Sequence, residues 1–175
     1  MSLAPDTYVI FELAGTSYGV PSSDVRHLEM LEHVTPVPNA MPAIDGVVFS
    51  RGQVIPAMNL RTRFGLPREP YSLRTRLLFV QVRQRTVGLI VDTAREFIRL
   101  PPETIRPIEQ TLAGVSANYL KAVAQIGDRL ILLLDLEAVV NVDASQAPTA
   151  LPASVSQADR LPADLPGQFV QQLSR

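Results

Sequence analysis

Rhythm constrains this chain more than any other feature: from Thr7 to Leu136, short β-rich runs are cut by turn residues roughly every ten positions. Tyr8-Val9-Ile10-Phe11-Glu12-Leu13 is a strand, Ala14-Gly15-Thr16-Ser17 a tight turn, and Tyr18-Gly19-Val20 a second strand, which predicts a hairpin. Pro21-Ser22-Ser23-Asp24 breaks the run with capping residues and opens one helical turn before a strand over Val25 to Leu31. Val34 to Pro42, with Pro36, Pro38 and Pro42, is an extended loop. Val47 to Phe49 and Gln53 to Met58 flank a hairpin turn at Ser50-Arg51-Gly52, and Asn59 to Phe64 is a short helix stopped by Gly65 and Pro67. Gly65 to Tyr71, holding Pro67 and Pro70, reads as a hinge. Strands resume at Arg76 to Val82, Thr86 to Val91 and Glu96 to Leu100. A loop runs from Pro101-Pro102 to about Gly114. A last hairpin, Asn118 to Ile126 with Arg129 to Leu134, turns at Gly127-Asp128 and leads to a closing helix over Asp135 to Val140.

The two halves echo each other. Tyr18-Gly19-Val20 and Val87-Gly88-Leu89 follow matching strand–turn units, with Leu28 and Phe97 each nine positions beyond the glycine. Each half later carries a hairpin ending in Asn59-Leu60 or Asp135-Leu136. Duplicated units of about 60 residues are the simplest account. Many short strands with frequent turns predict an all-β chain of small barrels rather than a parallel sheet. The first barrel is expected over about residues 7–64 and the second over about 72–140. Residues 141–175 are rich in Ala, Ser, Gln and Pro and read as a disordered tail, too poor in burial to offset its ordering entropy.

Composition narrows the chemistry. The 175 residues include no cysteine, which excludes disulfides and thiolate metal sites. With 16 basic and 17 acidic residues, the net charge of −1 is not the basic footprint of a nucleic-acid binder. No apolar run reaches the roughly 18 to 20 residues of a membrane span, and the start MSLAPDT lacks a secretion signal, so a cytoplasmic location is expected. Phosphate loops, dinucleotide fingerprints and nucleophile elbows are absent. His27 and His33 do not have metal-helix spacing, so neither metal nor cofactor is expected. Asp92 and Asp135 follow apolar strands, where turn-capping carboxylates are commoner than catalytic pairs. The Phe and Tyr residues sit mostly at core-parity positions, which leaves no stacking platform for single-stranded nucleic acid.

The segment Asp45-Gly46-Val47-Val48-Phe49-Ser50-Arg51-Gly52-Gln53-Val54-Ile55-Pro56-Ala57-Met58-Asn59-Leu60-Arg61 resembles the signature hairpin of CheW-like chemotaxis coupling proteins. Tyr18-Gly19-Val20, Val87-Gly88-Leu89-Ile90-Val91-Asp92, Tyr119-Leu120 and the run from Asp128 to Leu136 resemble further family elements, in order, over about residues 7–140. The resemblance implies two five-stranded SH3-like barrels and a non-enzymatic adaptor. Such an adaptor couples chemoreceptors (methyl-accepting chemotaxis proteins) to the regulatory domain of a CheA-type histidine kinase, at receptor arrays on the inner face of the membrane. It also implies that the receptor's helical tip docks in a groove between the barrels. The implied receptor-binding residues are Val25, His27, Glu29, Arg51, Gly52 and Val54; the kinase-binding residues are left unassigned. Two departures lie at this surface. Many relatives carry an acidic residue where His27 stands, paired with the signature arginine, and Glu29 is expected to replace it as the partner of Arg51. Phe49-Ser50 stands where the family has Asn-Leu. The alternatives are an adaptor of a related pathway controlling surface motility or second-messenger output and, more distantly, a small-barrel enzyme or a nucleic-acid-binding module. A pocket of converging ionisable groups would favour the enzyme, and steep salt dependence of oligonucleotide binding the last.

Overall fold

The computed structural model describes residues 6–108 and 118–142. β1 (Asp6–Leu13) and β2 (Thr16–Pro21) form the first hairpin, and a 3₁₀ turn at Ser22–Asp24 leads to β3 (Val25–Met30). β4 (Ile44–Ser50) and β5 (Gln53–Asn59) form the second hairpin and run into α1 (Leu60–Arg63), whose first turn is capped by the Asn59 side chain accepting from Thr62 N. β6 (Arg76–Val82), β7 (Arg85–Val91) and β8 (Thr93–Leu100) follow, then a short β9 (Ile105–Pro107). β10 (Leu120–Ile126), β11 (Arg129–Leu134) and α2 (Leu136–Val140) close the described chain. Of the two strand-end carboxylates, Asp135 is a cap, as expected, accepting from Ala138 N at 3.2 Å; Asp92 instead accepts from the distant Ala14 N at 2.8 Å and pairs with Arg61.

The strands assemble into two sheets, in the orders β8-β1-β2-β11-β10-β9 and β3-β6-β7-β5-β4. The first has a sixth, three-residue strand beyond the five expected. Neither sheet is one half of the chain. Each takes the opening hairpin of one half and the later strands of the other, four in the six-stranded sheet and three in the five-stranded one. The contiguous barrels expected at about 7–64 and 72–140 are therefore not the units the sheets are made of. The reason is that the pairing between halves is long-range: β1 with β8, β3 with β6, and the parallel pairs β2 with β11 and β5 with β7. A sequence echo shows that the halves match but not which strand crosses over. The echoed glycines mark the equivalent crossings. Gly19 lies opposite Leu133, and Gly88 opposite Ala57. A Cβ on Gly19 would lie 2.9 Å from Leu133 Cδ2, and one on Gly88 2.9 Å from Leu77 Cδ1, so a side chain at either position would force a packed leucine to shift.

Among the described residues, each sheet carries an apolar cluster. Tyr8, Ile10, Leu100, Ala122, Ala124, Ile131 and Leu133 form one, and Val48, Ile55, Ala57, Leu77, Phe79 and Ile90 the other. The alternate residues Val9, Phe11, Leu13, Leu78 and Val80 are no more than 1 % exposed and belong to neither cluster. β1 and β6 are thus covered on both faces, which is why they read as unbroken apolar runs rather than alternating ones. Aromatic contacts continue this layer: Phe11 to Tyr18 at 5.8 Å, Tyr18 to Phe64 at 5.6 Å and Phe64 to Tyr119 at 5.3 Å between ring centroids. Arg63 of α1 spans the Tyr119 ring at 4.8 Å and donates to the carbonyls of Val139 at 2.9 Å and Asn141 at 2.7 Å, closing the C-terminus of α2.

The segment expected to be a hinge is strapped down. Asp45, with its side chain 6 % exposed, accepts from Asn59 Nδ2 at 2.9 Å and from the Tyr71 hydroxyl, and pairs with Arg68 at 2.9 Å. Burial, then the hydrogen bond to Asp45, push the Tyr71 hydroxyl up to about 12, so it stays a donor at any physiological pH. Arg61 Nη1 holds the carbonyl of Pro67 at 3.0 Å.

Candidate functional site

β3 and β4 are the two outer strands of the five-stranded sheet, and the sheet curls until their side chains meet. His27 Nε2 lies 3.0 Å from Glu29 Oε1 and 3.2 Å from Ser50 Oγ, while Ser50 Oγ donates to the same Glu29 oxygen at 2.8 Å. A ring nitrogen this close to a carboxylate oxygen donates to it, so the proton is assigned to Nε2. Ser50 is 5 % exposed, and its hydroxyl is satisfied within this trio. The register of β3 on β6 slips between Val25 and His27, making Arg26 an inserted residue. Beyond the bulge, His27 lies opposite Phe79 and stacks on its ring at 4.2 Å and 18°. Glu29 lies opposite Leu77. The bulge thus aims His27 and Glu29 over the apolar filling of the sheet and at Ser50.

The β4–β5 hairpin turns immediately beyond Ser50. Its two turn residues, Arg51 with φ 49° and Gly52 with φ 80°, both sit in the left-handed region, which matches the twist of the flanking strands. Arg51 bears the residue penalty of that conformation, and Gly52 relieves the second position. Arg51 is exposed, and among the described residues its guanidinium makes no hydrogen bond or ion pair. The expected pairing of Glu29 with Arg51 is therefore corrected: Ser50 and His27 take that carboxylate. Phe49 and Val54, opposite each other across the hairpin, are 75 % and 68 % exposed. Phe97 is 66 % exposed as well, so the aromatic residues do not all lie at core positions.

A groove of about 830 Å³ runs beside the turn, lined by Arg26, His27, Arg51, Val54, Gln81 and Gln84 among others. Every residue lining it comes from the five-stranded sheet or its turns. It is distinct from the groove of about 260 Å³ lined by Glu12 and Thr93 of one sheet and Asn59 and Ile90 of the other. Of the six residues expected at a receptor surface, His27, Arg51 and Val54 line the larger groove and Gly52 shapes its turn. Val25 is half-buried opposite Val80, and Glu29 stays in the trio. Arg26, Gln81 and Gln84 were not singled out by sequence. Arg26 Nε donates to Gln81 Oε1 at 2.7 Å, and Gln81 Nε2 to the Arg83 carbonyl at 3.0 Å. Only the adjacency of Arg26 to His27 hinted at this, because the bulge that turns it outward leaves no mark in composition.

The second groove is anchored by an ion pair. Arg61, 8 % exposed, donates through Nε to Asp92 Oδ1 at 2.7 Å and through Nη2 to Oδ2 at 2.5 Å. Burial by itself would raise the Asp92 carboxyl, but the Arg61 hydrogen bond, the Ala14 N–H and the guanidinium charge outweigh it and hold the group below its ordinary value. Such a group contributes stability that is present above its unfolded pKa, near 3.9, and lost as pH falls through the lower folded value. Replacing Arg61 with Met is expected to cost about 3 kcal/mol at pH 7, because Asp92 is left half-buried without its partner. Urea unfolding at pH 7 and pH 3 checks this: the gap between wild type and variant should shrink at pH 3, below the ordinary carboxylate range, where the unfolded chain takes up a proton and the variant no longer has to bury an unpaired charge at Asp92. An equal gap at both pH values would refute the assignment.

Among the described residues, no cluster of His, Asp or Glu has metal-binding geometry, and no helix is long and apolar enough to cross a membrane. Comparison with known proteins identifies the surroundings of this site. A family model described as a CheW-like domain matches residues 7–144. The chain is 28% identical over 134 residues to the chemotaxis protein CheW of Klebsiella aerogenes, covering 77% of this chain and 81% of that one. It is 29% identical over 119 residues to the protein FrzA of Myxococcus xanthus, covering 67% and 73%. The crystal structure of the scaffolding protein TtCheW from Thermoanaerobacter tengcongensis superposes with a TM-score of 0.74 at 27% identity, over 79% of this chain and 94% of that one.

Proposed function

We infer the function from one premise: this chain belongs to the CheW-like domain family. It is a scaffold of chemotaxis-type signal transduction and not an enzyme, with the paired SH3-like architecture of that family. The partners we propose are the cytoplasmic tip of a chemoreceptor and the regulatory domain of a CheA-type histidine kinase, met at receptor arrays on the inner face of the membrane.

The observation that supports a receptor-facing role for the Arg51 hairpin is its combination of features. A guanidinium without a partner stands at a rigid two-residue turn, and two exposed apolar side chains stand opposite each other just behind it. Arg51, Val54 and His27 are the proposed contact residues, with Gly52 setting the turn. Ser50 and Glu29 hold His27 in place behind them, and Val25 precedes the bulge on the same strand. Individual contacts need not be large. A face of about 800 Å² per partner or less is sufficient when array repetition adds avidity by raising the effective concentration of kinase near receptor. The likeness to FrzA supports a second reading, in which the same adaptor chemistry serves a related pathway with a different output.

Co-purification tests the proposal. The full chain, a kinase regulatory domain and a receptor tip fragment from the same organism are expected to elute as a ternary complex. Failure of the chain to bring the other two together would reject the coupling role.

A further inference from the structure

We propose that the partner docking at the Arg51 turn supplies the carboxylate that this guanidinium lacks, on a residue flanked by apolar side chains. The inference deepens the receptor-facing reading and rests on it. Three observations lead to it. First, Glu29, the acidic side chain on the facing outer strand, turns its Oε1 to Ser50 at 2.8 Å and His27 at 3.0 Å and makes no ion pair with Arg51. Second, the groove beside Arg51 is lined by two arginines, three glutamines and no carboxylate. Third, Arg26 is held to Gln81 through Nε and Nη2, so one of the two guanidiniums is already oriented while the other is free.

Such a site has a definite preference. A planar guanidinium at a rigid turn matches a carboxylate with two parallel hydrogen bonds, and the amide side chains around it accept and donate without competing charge. An ion pair at an exposed position is nearly worthless while water surrounds it. It gains strength when the partner excludes that water. Phe49 and Val54 provide the means, since an apolar neighbour of the incoming acid would cover them and dry the pair. A lone acidic residue on a polar segment would not do so. The chain therefore selects among partners by the placement of one acid beside an apolar contact.

A double-mutant cycle tests this. The full chain and its Arg51→Gln variant are titrated calorimetrically with a receptor tip fragment and with fragment variants in which each Asp or Glu is replaced singly by its amide. The melting temperature of Arg51→Gln confirms that it is folded. One fragment carboxylate is expected whose replacement weakens binding to the wild-type chain about tenfold or more, yet has little effect on binding to Arg51→Gln. Binding of the wild-type chain with no carboxylate coupled to Arg51 would overturn this inference and leave the receptor-facing reading intact. Absence of binding between the wild-type chain and the unmodified fragment would overturn both.

Discussion

Replacing Arg51 with glutamate is expected to weaken receptor-fragment binding by roughly thirtyfold or more, to abolish receptor control of the kinase, and to leave thermal stability within about 1 °C of wild type. The first part follows from the position of the side chain. Truncating a central anchor typically costs about 2 kcal/mol, which is about thirtyfold in affinity, and a reversed charge adds repulsion against any partner acid. The unchanged stability follows because Arg51 contributes nothing visible to the fold: it is exposed and has no partner among the described residues. Its φ of 49° is equally uncomfortable for Arg and Glu, so the substitution leaves backbone strain unchanged. Calorimetric titration and a melting curve on the same sample separate the two effects. Retained binding, or a variant that melts far earlier, would show that the turn is structural rather than a contact.

How much of this was legible beforehand depends on the range of the forces involved. The hairpins at Ala14-Gly15, Arg51-Gly52 and Gly127-Asp128 were readable because turn geometry is written in two or three adjacent residues. The two short helices were readable because Asn59 and Asp135 cap them locally. The glycine echo was readable as a repeat, and its physical cause, close packing at Gly19 and Gly88, emerged only with the neighbours in place. At the candidate site, Arg51 and Gly52 were identified by motif. The fate of Glu29 was not, because it depends on the bulge at Arg26 and on the curl that brings β4 to β3. His27 on Phe79, and Arg26 on Gln81, join residues more than fifty positions apart. No local pattern encodes such pairs.

The interleaved sheets make the largest prediction. Fragments 1–70 and 71–175, produced separately, are each expected to be unfolded, and mixing them is expected to restore the native fold. Cutting there leaves β1–β2 and β4–β5 as isolated hairpins in one fragment, and in the other the β6–β7 hairpin and the β10–β11 hairpin extended only by the three-residue β9. A lone two-stranded hairpin is marginally stable at best. Each apolar cluster is divided by the same cut. Tyr8 and Ile10 lose Leu100, Ile131 and Leu133, while Val48, Ile55 and Ala57 lose Leu77, Phe79 and Ile90. Burying such a side chain is worth about 1.5–3 kcal/mol, so half a cluster cannot offset the entropy of ordering its strands. The cut itself interrupts no strand, because it falls in a connecting segment whose Leu73 is 85 % exposed, and its local cost is the Tyr71 strap on Asp45, which then joins two fragments. Far-UV circular dichroism and amide NMR dispersion of the separate and mixed fragments decide the matter. A cooperative melt from fragment 1–70 alone would mean that the first half closes a barrel by itself, which contradicts the pairing of β3 with β6 and of β5 with β7.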